Sequence, residues 1–518
     1  MKKHDYLIVG AGIAGLTAAC RLVDAGEKDI AIVEDGYGGT PYIAAFNAVL
    51  QENPHGDSAQ LYAEDMLHAG YEIGNRELVQ KTASLTTEVV DLMERWGVQF
   101  TKTEKGYLLR HCSGSTVPRS LCRTDVLVGE AVVHALVPRL KERGVRFYSG
   151  CACVSLLSRN QQVYGITVLD KLNQGTYHIY SNKILAAWGG VGRLYADSTY
   201  PGDVDGRGVA MAFEVGAALS DLEFVEFEPM VAYEPPEARG EPCPTAMLGE
   251  GATLLNEKGE RFLLKDRAQG EAGAPKTLIN KAIMREVSLG NGTPLGGAYV
   301  DLRMIPQETL EAYPWFYERV LNAGKDVKKE LLQVGPMAHS HSGGIEIDLQ
   351  GMSNINGLFA AGEAASGMHG ACRMAGNAAT QSAASGILAA DGMMALGTDA
   401  LATADEEVVY HTNLAVRNKY YDEIGQLLMT HVNRERSGEG LKAAADRLTA
   451  ILQETTEDTL THQRAQSALL VASAALQRQE SRGTHVRVDY PEQRKEYQCS
   501  IRLHKDGNKA AIQQIRRD

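Results

Sequence analysis

The chain has 518 residues, of which 44% are hydrophobic and 23% are charged, and its formal net charge is −13. This length predicts several domains with a sizeable core, and the acidic balance argues against a general nucleic-acid role, because phosphate binding needs a basic face. No apolar run in the sequence reaches the length of a bilayer span and the first residues lack a signal-peptide pattern, so we expect a cytoplasmic protein without a transmembrane segment.

The first chemistry-bearing pattern follows the apolar run YLIV at residues 6–9. Gly10, Gly12 and Gly15 form a G-x-G-x-x-G motif, a helical pattern comes next, and a second apolar run ends at Glu34. In such a β-turn-α-β unit the glycines allow a tight turn, a close approach to pyrophosphate and close helix–strand packing. The helix N-terminus offers N–H donors to phosphate, and the terminal acid accepts hydrogen bonds from a ribose. These residues alone leave FAD and NAD both open.

Downstream, the pattern predicts one domain interrupted by another. Asp205 stands just before a helix of small residues, whereas residues 226–344 are rich in proline and charged turns, which suggests an inserted domain. Residues 345–367 return to strand and turn signals, as if the first domain resumes. From about residue 406 apolar positions recur at helical spacing, and the polar tail 508–518 is expected to be loosely held.

Cysteine spacing predicts no metal centre in this chain. None of the eight cysteines forms a C-x-x-C pair, and the spacing of Cys151 and Cys153 is too tight for the usual zinc pattern. Iron–sulfur ligation needs clustered thiolates, so no cluster is expected within the chain. We interpret the cysteines as reduced residues of a cytosolic core.

Several segments, taken in chain order, resemble one known family. They are GAGIAGLTAA, DGRGVAMAFEVGAAL, GEGATLLNEKGERF, GPMAHSHSGGIEID, GLFAAGEAASGMHGACRMAGNAA and ESRGTHVRVDYP. Together they resemble the fumarate reductase / succinate dehydrogenase flavoprotein and L-aspartate oxidase family, with adenylylsulfate reductase flavoproteins as more distant relatives. The resemblance implies an α/β fold. A Rossmann-like FAD-binding domain (residues 1–225 and 345–405) is split by an inserted α+β capping domain (226–344), and a helical C-terminal domain (406–518) follows.

The resemblance also implies FAD as the cofactor. It places Glu363 on the ribityl chain and the helix start at Asn377–Ala379 near a flavin carbonyl, where a helix N-terminus stabilises negative charge. Succinate dehydrogenases attach FAD through a histidine ahead of a threonine, but Gly39 precedes Thr40 here, so the FAD is expected to be noncovalent. The full set of implied FAD contacts is Gly10, Gly12, Ala14, Gly15, Glu34, Gly39, Thr40, Val154, Asp205, Glu363, Asn377, Ala378 and Ala379.

For the substrate, the resemblance implies hydride transfer between flavin N5 and an activated C–C unit of a carboxylate. Arg373 matches the arginine that holds a substrate carboxylate, and its planar guanidinium suits a bidentate pair. His339 matches a substrate histidine. Both are candidate catalytic residues.

Other catalytic positions depart from the family. A substrate histidine is replaced by Glu228, a Thr-Glu pair by Pro244 and Thr245, an arginine by Leu248, and the proton-donor arginine by Lys281. A glutamate would repel a dicarboxylate, so efficient turnover of fumarate or succinate is not expected. Lys281 is a candidate acid, because a lysine in an apolar site can reach a useful proton-transfer range. Glu228 would oppose that change if it were a neighbour, and a purely structural Lys281–Glu228 ion pair stays open.

Two functions therefore remain. The first is an FAD-dependent oxidoreductase that acts directly on a small carboxylate with an activated C–C bond. The second is a flavoprotein subunit that exchanges electrons with an iron–sulfur or ferredoxin-type partner, as the adenylylsulfate reductase relatives do. Both take a small anionic substrate, and no second G-x-G-x-x-G motif offers a nicotinamide site in the sequence.

Overall fold

The computed structural model describes residues 2–53, 55–112, 114–397, 410–507 and 509–516. These residues form two compact units. The larger one, the FAD unit, holds the chain up to Ala196, Pro201–Val225 and the residues from Ser340 onward. The smaller one, the inserted unit, holds Asp197–Tyr200 and Glu226–His339.

The helices are α1 (Ile13–Asp24), α2 (Ala59–Ala69), α3 (Arg76–Arg95), α4 (Val128–Glu142), α5 (Gly208–Glu214), α6 (Lys276–Ser288), α7 (Gln307–Glu311), α8 (Pro314–Asn322), α9 (Asn377–Ala395), α10 (Leu414–His431), α11 (Gly438–Glu454) and α12 (Thr459–Gln477). The strands are β1 (Lys2–Lys3), β2 (Tyr6–Val9), β3 (Ile30–Glu34), β4 (Ala45–Asn47), β5 (Lys102–Thr103), β6 (Gly106–Tyr107), β7 (Leu109–Arg110), β8 (Ser120–Cys122), β9 (Arg146–Ser149), β10 (Cys151–Arg159), β11 (Gln162–Asp170), β12 (Gly175–Tyr180), β13 (Ile184–Ala186), β14 (Leu219–Ser220), β15 (Val225–Ala232), β16 (Thr253–Leu255), β17 (Ala298–Asp301), β18 (Leu332–His341), β19 (Gly344–Ile345), β20 (Leu358–Ala360), β21 (Glu435–Arg436), β22 (Val486–Arg487), β23 (Ser500–Asp506) and β24 (Lys509–Ile515).

A parallel sheet of order β20-β13-β2-β3-β9 carries the first glycine motif. Its strands β2, β3, β13 and β20 are buried along their whole length, as parallel strands covered on both faces usually are. Leu7 pairs with Ala31 on one side and Ile184 on the other. The predicted β-turn-α-β order is thus present as β2, α1 and β3.

Small residues bring α1 and α9 close together in the FAD unit. A Cβ added at Gly386 would lie 2.3 Å from the carbonyl oxygen of Ala14, and one added at Gly362 would lie 3.0 Å from the Ala14 Cβ. The second glycine-rich segment therefore packs directly on the first turn of α1, although the two are far apart in sequence.

The inserted unit has its own four-stranded sheet and core. The sheet order is β15-β18-β17-β16, with antiparallel pairing between β16 and β17 and between β17 and β18. Buried residues of α6 and α8, among them Ile279, Ile283 and Phe316, contribute to one apolar core with the sheet.

The C-terminal part contains the predicted helices as α10, α11 and α12, but the expectation of a loosely held tail is wrong for residues 509–515. There β24 pairs antiparallel with β23, which joins β14 and β19 in one sheet. Ile501 and Leu503 alternate with less buried residues and supply the period-two pattern that fixes the hairpin. Residues 398–409, where the helical pattern was expected to begin, lie outside the described residues.

The fold class is confirmed: an FAD-binding α/β domain split by an α+β insertion, with helices towards the C-terminus. Within the described ranges no helix is long and apolar enough to cross a bilayer. The same ranges show no cluster of three or more His, Cys, Asp or Glu side chains arranged to hold a metal ion. All eight cysteines fall in these ranges and none forms a disulfide.

Candidate functional site

The first glycine motif makes a turn that only glycine fits at two of its positions. Gly10 has φ +114° and its added Cβ would lie 2.2 Å from the carbonyl oxygen of Ala187. A Cβ on Gly15 would lie 2.1 Å from the carbonyl oxygen of Gly10. Gly12 precedes α1 as its N-cap and provides no side-chain cap. Backbone N–H groups at the start of α1 are thus presented without a side chain in front of them.

Thr40 supports this turn from a neighbouring loop. Its buried Oγ1 accepts a hydrogen bond of 2.8 Å from the N–H of Ile13. Gly39 is exposed, has φ −70° and would have open space around a Cβ, so nothing in the backbone demands glycine there. Glu34 ends β3 as a buried acid. The N–H of Gly10 donates to the carbonyl of Val33, which ties the turn to the strand end.

Glu363 joins two other segments of the FAD unit. Its Oε2 accepts a 3.1 Å hydrogen bond from the N–H of Gly190, and its Oε1 accepts one of 2.8 Å from the N–H of His341. Gly362, just before it, has φ +66°. The sequence pattern located this acid, but only the structure shows that it holds the backbone of two distant loops.

His341 is a buried polar residue that the sequence analysis passed over. Its Nε2 lies 3.2 Å from the carbonyl oxygen of Leu222, whereas Nδ1 is buried without a hydrogen-bond partner among the described residues. Burial lowers the pKa of His341 to about 4, so the ring is neutral at pH 7.

The start of α9 is fixed by a buried amide network. The side chain of Asn377 accepts hydrogen bonds from Asn47 (2.6 Å) and from the Tyr62 hydroxyl (2.7 Å). Gly376 has φ +80° and provides no side-chain cap, so N–H groups of the first turn of α9 are left to other partners. Ala378 is exposed and Ala379 is buried. This second helix start has the features that favour negative charge.

Val154 and Asp205 belong to one hydrogen-bonded group. Gln463 of α12 donates to the carbonyl oxygen of Val154 at 2.6 Å and accepts from Arg207 at 2.8 Å. The Arg207 guanidinium also pairs with Asp205 at 2.6 Å. The two predicted contacts are therefore connected, and the carboxylate of Asp205 is held by Arg207.

These residues fit FAD. A Cβ at Gly10 or Gly15 would fill the close-packed turn, and two helix starts without N-cap side chains provide donors for anionic groups. The pyrophosphate would be held by the turn before α1, and negative charge on the flavin would be favoured by the start of α9.

Arg373 lies just before α9, in the FAD unit. Its Nε donates to the hydroxyl of Ser340 at 3.1 Å and its Nη1 donates to the carbonyl of Met374 at 3.2 Å. Ser340 is buried and Arg373 is half-buried. These bonds fix the plane of the guanidinium, which is what bidentate carboxylate binding requires.

His339 lies in the inserted unit, at the end of its contribution to β18. Its Nδ1 is 2.9 Å from the hydroxyl of Thr199, which belongs to the same unit. The ring is half-buried. A hydroxyl at one ring nitrogen sets the orientation of the imidazole.

Lys281 and Glu228, whose pairing the sequence analysis left open, form no ion pair in the described structure. Lys276, at the start of α6, contacts Glu228 Oε2 at 2.5 Å and Glu226 Oε1 at 3.6 Å. Lys281 is exposed, because five residues along a helix turn a side chain by roughly 140° relative to the first. The sequence analysis considered Lys281 alone, and helical periodicity did not show that Lys276 is the lysine that faces the carboxylates.

Lys276, Glu226 and Glu228 form a charged cluster at the start of α6. Glu226 and Glu228 lie on the same face of β15, two residues apart, with side chains 12% and 6% exposed. Burial raises the pKa of the nearby Cys243 thiol, and the charge of Glu228 adds to that rise. Leu248, which replaces a family arginine, is buried in the core of the inserted unit.

Two family models match this chain. A family model described as an FAD binding domain matches residues 5–379, and one described as the fumarate reductase flavoprotein C-terminus matches residues 462–514. The chain is 29% identical to one of the subunits of the fumarate reductase (CoM/CoB) of Methanothermobacter marburgensis, with 97% of each chain covered. It is 31% identical to an L-aspartate oxidase of Saccharolobus solfataricus, covering 93% of this chain and 96% of that one.

Solved structures show the same fold. A quinol-fumarate reductase with menaquinol molecules superposes with a TM-score of 0.88 at 25% identity, covering 99% of this chain and 98% of that one. The adenylylsulfate reductase of Archaeoglobus fulgidus reaches a TM-score of 0.73 at 17% identity over 99% and 95%, which is a likeness of fold alone.

Proposed function

This chain belongs to the family of FAD-dependent oxidoreductases that includes fumarate reductase and succinate dehydrogenase flavoproteins and L-aspartate oxidases, and on that premise we propose its reaction. It transfers a hydride between flavin N5 and a small carboxylate with an activated C–C bond, and fumarate and succinate are not its main substrates. When bound, FAD supplies the two-electron redox chemistry. The residues of the chain bind the acid, orient it and move a proton.

The observation that carries the proposal is the fixed guanidinium of Arg373. Ser340 and the Met374 carbonyl hold it in one plane, immediately before the start of α9. A guanidinium so fixed binds a carboxylate through two parallel hydrogen bonds and stabilises the negative charge that reaches it when a hydride adds to the far carbon of the C=C bond.

Lys276 is the proposed proton carrier. Glu226 and Glu228 favour its charged form, so it is kept as an acid that gives a proton to the substrate carbon in the reducing direction. This role replaces the one expected of Lys281, which is exposed. Glu228 also stands where the family has a substrate histidine, and a carboxylate in that role would repel a dicarboxylate, which supports a substrate other than fumarate.

The experiment is a substrate screen on the FAD-loaded, dithionite-reduced protein without oxygen. Reoxidation is followed by flavin absorbance with unsaturated monocarboxylates, dicarboxylates and amino acid-derived enoates, and fumarate is the reference. We expect one of them to reoxidise the flavin faster than fumarate does. Fumarate turnover at the median enzyme scale of about 10 per second, or no reoxidation by any of them, contradicts the proposal.

We also infer that FAD is held without a covalent bond. Gly39 stands where a histidine is expected in covalent relatives, and it has no side chain for attachment. Acid precipitation should release intact FAD into the supernatant. Flavin that stays with the precipitated chain would show the opposite.

A second function is supported by one relative. The M. marburgensis protein is named as one of the subunits of its enzyme, which favours a partner for chains of this kind. In that case this chain would exchange electrons with an iron–sulfur or ferredoxin-type protein. Affinity purification from the native cell, followed by iron analysis, tests this: stoichiometric iron in a small co-purified protein supports it, and an isolated chain active with enoates and an artificial donor favours the direct reaction.

A further inference from the structure

Arg434 is a half-buried cation to which the described residues offer no hydrogen-bond partner. Its Nε and Nη1 are buried and make no hydrogen bond there. Other arginines of the described chain also have a buried unpaired N–H group, but most make a bond elsewhere in the guanidinium. These are Arg285 to Asp266, Arg417 to Asp458, Arg436 to the Glu223 carbonyl and Arg464 to the Leu194 carbonyl, whereas the buried Nε of Arg502 itself contacts Glu346. Arg434 makes no such bond among the described residues.

Arg434 directly precedes a strand pair that is connected by hydrogen bonds to the segment carrying Arg373. Arg434 directly precedes β21, which pairs in parallel with β22. Just before β22, Thr484 donates its N–H and its hydroxyl to the carbonyl oxygen of Ala371, at 3.0 Å and 3.2 Å. The strand pair that positions Arg434 therefore also holds the chain two residues before Arg373.

Tyr71 borders the same segment from another side. The N–H of Ala371 donates to the carbonyl of Gly70 at 2.9 Å, and Tyr71 packs against the apolar cluster of Ile73, Phe224 and Ala371. Tyr71 has φ +57°, a left-handed backbone that is costly for a bulky residue. Such strain is retained where the surrounding structure fixes a side chain in one place.

The charges around Arg434 do not neutralise it. The guanidinium of Arg482 is already paired with both oxygens of Glu480, at 2.7 Å and 2.9 Å. Glu435, next along the chain, lies within electrostatic reach but makes no ion pair with Arg434 in the described structure. Burial lowers the pKa of Arg434 to about 10, while the charges of Glu435 and Tyr71 act against that change. Two buried and unpaired N–H groups on a cation are costly, so an anion from outside the chain is expected at this place.

We propose that Arg434, together with Tyr71, forms a binding site for a small oxyanion, a carboxylate or phosphate group, beside the Ala371–Arg373 segment. The extension of this site to the reaction rests on the proposed function: the oxyanion is then a second acidic group of the substrate. Binding of a free oxyanion does not depend on that function, so the two can fail separately.

The first experiment measures oxyanion binding by melting temperature. FAD-loaded wild type and Arg434→Met are melted in Tris–chloride and with rising inorganic phosphate at constant ionic strength. Phosphate should raise the wild-type melting temperature towards saturation and leave Arg434→Met unchanged. Without phosphate the variant should melt no lower than wild type, because it loses a cation with two buried, unpaired N–H groups. Arg76→Met, which removes an exposed arginine, is the matched control and should respond like wild type.

Equal phosphate responses in wild type and Arg434→Met overturn the site, and so does a wild type that phosphate does not affect. Should Arg434→Met fail to fold, Tyr71→Phe and Arg434→Lys keep the packing and the charge. Both are expected to weaken the phosphate response, and a full response in both overturns the site as well.

A second experiment identifies the source of the oxyanion. Binding of crotonate and of a dicarboxylic enoate to the oxidised holoenzyme is followed by flavin absorbance, with and without phosphate. If the site takes the second substrate group, phosphate competes with the dicarboxylate alone, and Arg434→Met raises the dissociation constant of that ligand alone by at least about tenfold. If both ligands bind unchanged in phosphate, the extension to the substrate is wrong, and the site is one for a free anion.

Discussion

The turn before α1 and the start of α6 differ in what restricts their residue types. Backbone space is limiting in the turn, and side-chain charge is limiting at the start of α6. At Gly10 and Gly15 a Cβ would lie 2.2 Å or less from a carbonyl oxygen, so the residue type follows from space alone. At Lys276 the residue matters because its ammonium contacts two carboxylates. A requirement on the backbone is visible in a sequence as glycine. A requirement on charge depends on partners that lie far apart in the chain.

The largest effect is expected from a substitution in the glycine turn before α1. Gly10→Ala adds overpacking to a left-handed backbone and should cost about 3–5 kcal/mol in the free energy of unfolding, with loss of FAD. Gly26→Ala is the matched control, since Gly26 has φ +85° but open space around a Cβ, and it should cost about 1–2 kcal/mol. Urea unfolding and flavin content measure both. Equal losses in the two variants would mean that close approach at Gly10 is unimportant.

The next effect tests charge in the inserted unit. Lys276→Gln removes the proposed proton carrier and should lower turnover by about 100- to 10,000-fold. Lys281→Gln, on an exposed face of the same helix, should change turnover by no more than about twofold. Both are assayed with the best substrate of the screen, at matched FAD content and melting temperature. A loss in Lys281→Gln alone would return the role to that residue.

The FAD unit also contains a side chain whose charge state matters. Burial lowers the pKa of His341 to about 4, below the ordinary value of 6.5. Between pH 6.5 and 4 the unfolded chain binds a proton that the folded chain does not, so stability falls as pH falls through this window. The loss should reach up to about 3 kcal/mol. Urea unfolding of wild type and His341→Asn from pH 7 to 4.5 measures it, and identical slopes would contradict it.

The smallest effect concerns the side chain that supports the glycine turn. Thr40→Val removes the acceptor for the Ile13 N–H and should cost about 1 kcal/mol in the free energy of unfolding. Thr40→Ser keeps an oxygen there and should cost less. FAD affinity is measured with both. A larger loss in Thr40→Ser than in Thr40→Val would show that the hydroxyl is not the relevant group.

The difference between backbone and charge requirements also explains which features could be predicted from the sequence. The strand–turn–helix order around Gly10 follows from local residue types, whereas the acid at Glu363 was located only through the resemblance to a known family. Lys276 rather than Lys281 contacts Glu228 because of the face of α6 that meets β15, and that face is set by tertiary packing. The partners of Glu363 are two backbone N–H groups, and backbone donors leave no mark in a sequence.

The C-terminal hairpin shows a second limit. Residues 509–515 are polar enough to suggest a loose tail, but their pairing with β23 satisfies their backbone groups. Ile501 and Leu503 carried the period-two signal, although it covers too few residues to outweigh the helical pattern before it. Arg434 could not be singled out at all, because an arginine without a partner is recognised only when its surroundings are known.

The most direct test of the central claim is single-turnover reoxidation of reduced Arg373→Lys by the best substrate of the screen, with flavin occupancy measured on the same preparation. Lysine keeps the charge but loses the planar fork, so transition-state stabilisation should fall by roughly 2–4 kcal/mol while FAD stays near one per chain. Reoxidation at the wild-type rate together with lost FAD and a lowered melting temperature would make Arg373 a structural residue of the flavin segment and contradict its role as the substrate anchor.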